Sequence, residues 1–269
     1  MRLRVTIASV SILLFSFSLF AQAPAAPAAA GAAPQAGARG AAAGRGGPAA
    51  PASPANVALE NTRNAARHQS FLDVAKAGNI DLLFVGDSIT DWFYWQRGGS
   101  YDLTGKAVWD KTFAPLKAAD FAIAGDTTQG ALWRMQNGEL DGFKTKLIIL
   151  MLGTNNINRN PNDEIVDGDR LIVEEFKKRQ PQAKVLILGI FPRQMDPANP
   201  IRATIKEINS KLEKLADNKQ VFYMDIGSKF LTADGTLTTE IMADGLHPTP
   251  KGYQIWADAI IDRVNALMK

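Results

Sequence analysis

The sequence predicts an α/β protein, a three-layer α/β/α sandwich around a five-stranded parallel sheet. Three observations carry this. Five short runs, 80–85, 120–124, 146–152, 184–191 and 220–226, are strand-length and predominantly apolar, as strands covered on both faces are. The segments between them repeat apolar residues at helical spacing, so strands alternate with helices as in parallel crossover units. Turn residues rich in Gly, Asp and Asn follow the first three runs, where open parallel sheets bind ligands.

Ahead of this pattern lie two segments of different composition. Residues 1–23 read as a signal peptide: Arg2 and Arg4 are followed by an apolar stretch and by Ala21-Gln22-Ala23, a small-residue cleavage pattern. Residues 24–58 are nearly all Ala, Pro and Gly, which predicts a disordered linker, and 59–269 has the composition of one folded domain. The leader predicts a periplasmic or secreted protein with transient membrane or cell-wall proximity. Residues 1–58 hold four Arg and no acid, so the +3 net charge belongs to them and the remainder has 26 basic against 27 acidic residues. A balanced body offers no footprint for nucleic acid. With no Cys in 269 residues, disulfides, thiolate metal sites, a Cys nucleophile and a lipid anchor on Cys are excluded.

The domain opens with a predicted helix over 61–77, its inner face Ala65, Leu72 and Ala75, stopped by Gly78. His68 falls on its polar side and is expected at the surface. Strand 80–85 leads into Gly86-Asp87-Ser88-Ile89-Thr90 and then Asp91-Trp92-Phe93-Tyr94-Trp95. Those aromatic rings either pack on the core or line an acyl or sugar subsite. Strand 120–124 ends at Gly125-Asp126-Thr127-Thr128, and a helix capped by Thr127 or Thr128 should bury Leu132, Met135 and Leu140. Strand 146–152 ends at Gly153-Thr154-Asn155-Asn156, before an amphipathic helix over 163–180. After strand 184–191, Asn199-Pro200 supplies an N-cap and a first-turn proline. Strand 220–226 precedes a loop carrying Asp244-Gly245-Leu246-His247-Pro248, and Thr249-Pro250 starts the last helix, with Trp256, Ile260, Val264 and Leu267 inward.

Because parallel strands end on one rim, Ser88, Gly125, Asn155, Asp244 and His247 are expected to converge there. Their residue types suit acyl transfer. A serine hydroxyl needs a base to take its proton. Of the two histidines only His247 is placed to do so, and Asp244 is near enough to hold its imidazole. Pro248 disfavours a helical backbone at His247, which suits a loop presenting that side chain. The N–H groups of Ser88 and Gly125 and the amide of Asn155 are candidate oxyanion donors. The order Ser, Asp, His without a Gly-x-Ser-x-Gly elbow departs from the usual α/β-hydrolase pattern. A metal site from Asp87, Asp126, Asp244 and His247 is the competing reading, but Asp87 and Asp126 read more simply as loop braces, and no metal is expected.

These motifs resemble the four blocks of the SGNH hydrolases, the GDSL esterase/lipase superfamily. Gly86-Asp87-Ser88 is similar to the first, Gly125 to the second, Gly153-Thr154-Asn155-Asn156 to the third and Asp244-Gly245-Leu246-His247-Pro248 to the last. Gly125-Asp126-Thr127-Thr128, Leu132-Trp133-Arg134, Asn137-Gly138-Glu139-Leu140 and the run from Arg179 to Lys184 most resemble esterases like the platelet-activating-factor acetylhydrolase α subunit. The resemblance implies a flavodoxin-like fold, no cofactor, Ser88 as nucleophile, His247 as base, Asp244 as its orienter, Gly125 and Asn155 as oxyanion donors, and a homodimer as the partner to test. One departure is the absence from Phe121-Ala122-Ile123-Ala124 of the Asn that often precedes the second block's glycine.

The expected function is thus an exported serine esterase that cleaves short-chain, foremost acetyl, esters of a carbohydrate or small molecule through an acyl-Ser88 intermediate. The alternatives are a lysophospholipase or thioesterase acting on lipid acyl chains and, in another class, a non-catalytic carbohydrate-binding domain on the same fold.

Overall fold

The computed structural model describes residues 53–269. Its strands are β1 (Leu82–Gly86), β2 (Ala118–Asp120), β3 (Leu147–Met151), β4 (Lys184–Leu188) and β5 (Val221–Met224), all parallel, in the order β2-β1-β3-β4-β5. The order reverses between β1 and β3, which opens a crevice above their carboxyl ends. Successive strand residues face opposite sides. Leu83 and Val85 therefore join one core and Leu82 and Phe84 the other. The first core is covered by α1 (Ala65–Ala77), α4 (Thr128–Gln136), α5 (Asn162–Arg179) and α6 (Pro200–Leu212). The second is covered by α2 (Ser88–Tyr94), α3 (Lys106–Thr112) and α7 (Pro250–Leu267).

The expected caps are found at two helices. The Asn199 side chain accepts from Ile201 N–H at 3.1 Å, and Thr249 Oγ1 accepts from Gly252 N–H at 3.3 Å. Thr127 occupies the N-cap position of α4 without a side-chain cap bond. There the free N–H groups go elsewhere: Thr127 N–H to Asp126 Oδ1 and Thr128 N–H to Asn156 Oδ1.

Four expectations are corrected. The second strand lies at Ala118–Asp120, upstream of 120–124. Phe121 and Ile123 still donate to Phe84 O and Gly86 O, but the chain is already leaving the sheet edge for the Gly125 turn, and its apolar character reflects burial alone. In α1, Ala65 is exposed and Phe71 takes the inner position, stacked on Phe121 with ring centroids 4.7 Å apart. His68 is no surface histidine: its Nδ1 lies 2.7 Å from Oε1 of the fully buried Glu139. Finally, the folded body begins before residue 59. Ala55 is fully buried, its N–H donates to Glu164 Oε2 and its carbonyl accepts from Thr128 Oγ1 at 2.6 Å. Ser53 O accepts from Gln129 and Asn160 side chains. Composition alone cannot distinguish such a strap from a linker, because a small residue is what fits the slot. The signal peptide at 1–23 and the linker residues 24–52 lie outside the described residues.

Candidate active site

Asp87 ends the turn after β1 with an extended backbone, and its Oδ1 accepts from Ile89 N–H at 3.0 Å, which starts α2 at Ser88. A residue in the first turn of a helix has no intrahelical acceptor for its N–H, so that of Ser88 is free to face the rim. Burial, with Asp126 and Asp91 nearby, pushes the Asp87 carboxyl up to about 7, against the pull of the Ile89 N–H. It is a brace for the turn, as is Asp126. The latter is clamped by Arg134 through Nε at 3.1 Å and Nη2 at 2.8 Å.

The loop before α7 brings the base. Ser88 Oγ lies 2.9 Å from His247 Nε2, and His247 Nδ1 lies 2.7 Å from Asp244 Oδ2. The other oxygen of Asp244 accepts from the backbone N–H groups of His247 at 2.8 Å and Leu246 at 3.1 Å, so the carboxylate shapes the loop it acts in. Partial burial opposes its ionisation, but the bonds from His247 and Leu246 outweigh this and hold it down to about 2. Burial lowers the His247 imidazole below its ordinary value; Asp244 opposes and the Arg97 charge adds to the fall. Such a serine–imidazole–carboxylate chain can take up the hydroxyl proton as the oxygen attacks an electrophile.

Opposite it, Gly125 has φ +80°, a left-handed conformation that glycine adopts without strain. The Asn155 side-chain amide donates to Asp126 O at 2.8 Å, which ties the loop after β3 to the Gly125 turn. An amide nitrogen carries two hydrogens, so the second remains for a ligand. Its neighbour Asn156 is fully buried and spends its side chain on Thr128, Gln129 and Asn160. Of the two asparagines, 155 serves the rim and 156 the fold.

This arrangement sits within a match to the GDSL-like lipase/acylhydrolase family over residues 84–255. The chain belongs to that family. It is a carboxylic ester hydrolase, and the reading as a silent binding domain falls. Among similar proteins, human platelet-activating factor acetylhydrolase IB subunit alpha2 is 38% identical over 189 residues, covering 70% of this chain and 77% of the relative. The bovine alpha1 subunit is 33% identical over 187 residues, covering 69% and 75%. Among solved structures, an acetylxylan esterase from Geobacillus stearothermophilus matches with a TM-score of 0.55 at 21% identity, over 70% of this chain and 96% of that one. A GDSL-like lipase from Bacteroides thetaiotaomicron matches with a TM-score of 0.55 at 18% identity, over 76% and 96%. These two establish likeness of fold.

The GDSL-like hydrolase adds residues at this rim that its sequence did not single out. Arg97 donates from Nη2 to Asp244 Oδ2 at 2.8 Å. Arg193 donates to Thr154 O at 3.0 Å, bracing the Asn155 loop, while burial lowers the pKa of its guanidinium. Both are loop arginines whose partners lie far along the chain, so no local pattern announces them. The aromatic run divides between the two readings offered for it. Phe93 is fully buried among Phe84, Trp109 and Trp256, whereas the Trp92 ring lies against His247 with centroids 4.3 Å apart.

Proposed function

We propose that this hydrolase is an exported serine esterase removing short acyl groups, foremost acetyl, from carbohydrate or small-molecule esters. The observation that carries the serine mechanism is the contact of Ser88 Oγ with His247 Nε2 at 2.9 Å, continued to Asp244. In the first half-reaction Oγ attacks the ester carbonyl carbon while its proton passes to Nε2. Ser88 N–H, Gly125 N–H and the Asn155 amide receive the oxyanion. The intermediate collapses as Nε2 returns the proton to the departing alkoxide, leaving acyl-Ser88. In the second half, water attacks that ester and gives its proton to Nε2, the same donors hold the charge, and the bond to Oγ then breaks as Nε2 returns the proton to Ser88 Oγ and the carboxylic acid leaves. Asp244 stabilises the imidazolium in both halves.

The acetyl preference draws on what similar proteins are called, an acetylhydrolase among relatives and an acetylxylan esterase among structures. The tilted Trp92 indole against His247 also narrows the space beside the base. Export draws on the composition of residues 1–23 alone. The relatives' name favours a second reading, a lipid ester substrate, which differs in the alcohol released.

Hydrolysis of p-nitrophenyl esters from acetyl to dodecanoyl by the full chain, beside Ser88→Ala, tests this. A preference for acetyl, abolished by the substitution, is expected. A preference for long chains overturns the substrate, and activity surviving in Ser88→Ala overturns the mechanism.

A further inference from the structure

We propose that Arg97 is a positioning residue of the esterase site: its guanidinium, held between Trp92 and Asp244, shares the carboxylate with His247 and keeps the imidazole an unprotonated base into mildly acidic solution. This rests on the reading of Ser88, His247 and Asp244 as the catalytic relay.

The geometry is specific. Arg97 lies in the loop between α2 and α3, where its backbone pairs with Ser100 in both directions, at 2.8 and 3.2 Å, closing a turn over Gly98 and Gly99. From that turn its Nη2 donates to Asp244 Oδ2, the same oxygen that meets His247 Nδ1. Its Cζ stands 4.5 Å from the centre of the Trp92 ring, and the Trp92 ring stands 4.3 Å from the imidazole. Arg97 and His247 therefore share one carboxylate oxygen, and the Trp92 ring lies against both of them. Asp244 is the acceptor this guanidinium uses within the described protein; the buried Nη1 has none. This arginine is committed to the group that orients the base.

The electrostatic consequence has a fixed sign. Protonating His247 places a second positive charge beside Arg97, and Arg97 already engages the oxygen that would stabilise the imidazolium. Both effects favour the neutral ring. The charged groups bearing on the imidazole are Asp244 from its own loop and Arg97 from the loop after α2; Ser88 and Trp92, which face it from α2, are uncharged. A weaker base that stays available at lower pH trades intrinsic proton affinity for occupancy of the reactive form.

The test compares Arg97→Gln and Arg97→Lys with the unsubstituted full chain in two ways. One is kcat/KM for p-nitrophenyl acetate between about pH 5 and pH 9. The other is the NMR titration of the His247 ring, readable because the chain has two histidines and His68→Asn identifies the second signal. For Arg97→Gln the ring titration should move up, and the ratio of kcat/KM at about pH 5.5 to that at about pH 8.5 should fall roughly severalfold. Arg97→Lys, which keeps the charge, should recover most of that ratio. A loss equal at every pH with an unmoved ring titration would overturn the proposal, since a loop staple behaves that way. A downward titration would overturn it as well. Should Ser88→Ala retain activity, the relay reading fails by itself, while the NMR arm still reports whether Arg97 and His247 are coupled.

Discussion

The two histidines of this chain are near copies of each other at short range and opposites at long range. His68 Nδ1 meets Glu139, and His247 Nδ1 meets Asp244, both at 2.7 Å. Each carboxylate also accepts from an arginine, Arg134 in the first case and Arg97 in the second. Yet His68 packs at a steep angle to Trp133 in a network with Glu139, Arg134 and Asp126, whereas His247 has its remaining nitrogen against a serine hydroxyl. An imidazole–carboxylate pair is therefore not in itself a sign of catalysis. What distinguishes the two is the group met by the second ring nitrogen, since both side chains are 13% exposed.

The largest effect that sharpens this contrast is removal of each ring. His247→Ala should lower kcat for p-nitrophenyl acetate by about 10⁴-fold or more, as loss of a triad member does. His68→Ala should leave kcat within a few-fold and cost about 1 kcal/mol of stability, read by denaturant unfolding. Equal losses of turnover in the two variants would break the distinction.

Next comes the buried arginine of the His68 network. Arg134→Met strands Asp126 and Glu139 as buried charges without their partner, and should cost about 3–5 kcal/mol in the same unfolding measurement. A smaller loss would mean that the carboxyls take up protons or that the network admits water. The loops repeat the comparison at lower amplitude. Asn155→Ala should lower kcat by about a hundred- to a thousandfold with little change in the melting temperature. Asn156→Ala should show the reverse weighting, costing about 1–3 kcal/mol as its buried partners lose their bonds.

The last expected effect concerns pH. The Asp87 carboxyl titrates near 7 in the folded chain and near the ordinary 3.8 when unfolded. A raised folded pKa means that folding favours the protonated acid. Its stabilising share is complete below about pH 4 and is lost as pH rises toward 7. Asp87→Asn keeps the oxygen that accepts from Ile89 N–H and should flatten this decline in unfolding free energy. If the slope between those limits is the same in both proteins, Asp87 is not its source.

The parts of this site that could be read from the chain share one property: each lies within a few residues of a strand end or a helix start. Ser88 follows β1, Asn155 follows β3, and Asp244 and His247 share one loop, so strand direction alone brings them to one rim. Arg97 stands 147 residues from Asp244, and His68 stands 71 from Glu139. Such pairs depend on how side chains meet in space, and nothing in local spacing encodes them. The α3 helix escaped for a related reason. Its seven residues, with Val108 and Trp109 buried, are too few to repeat a helical period. The strap at Ser53–Ala58 is not legible in the sequence because an alanine looks alike in a tether and in the tight slot that Ala55 fills.

That groove has a floor at Gly168. A methyl group placed there would come within 2.5 Å of Ala55 O and 2.8 Å of Thr128 Cβ. One added carbon on α5 would thus compete for the same space as an amino-terminal segment more than a hundred residues away. Anyone trimming this protein faces the corresponding choice. A cut just ahead of Ser53 leaves the groove filled, whereas a cut at 59 uncovers the start of α4 and takes from Gln129 the carbonyl that steadies it beside the Asn156 loop. The segment at 53–58 acts as a fitted plug, and mutational tolerance at Gly168 would report whether that plug is seated.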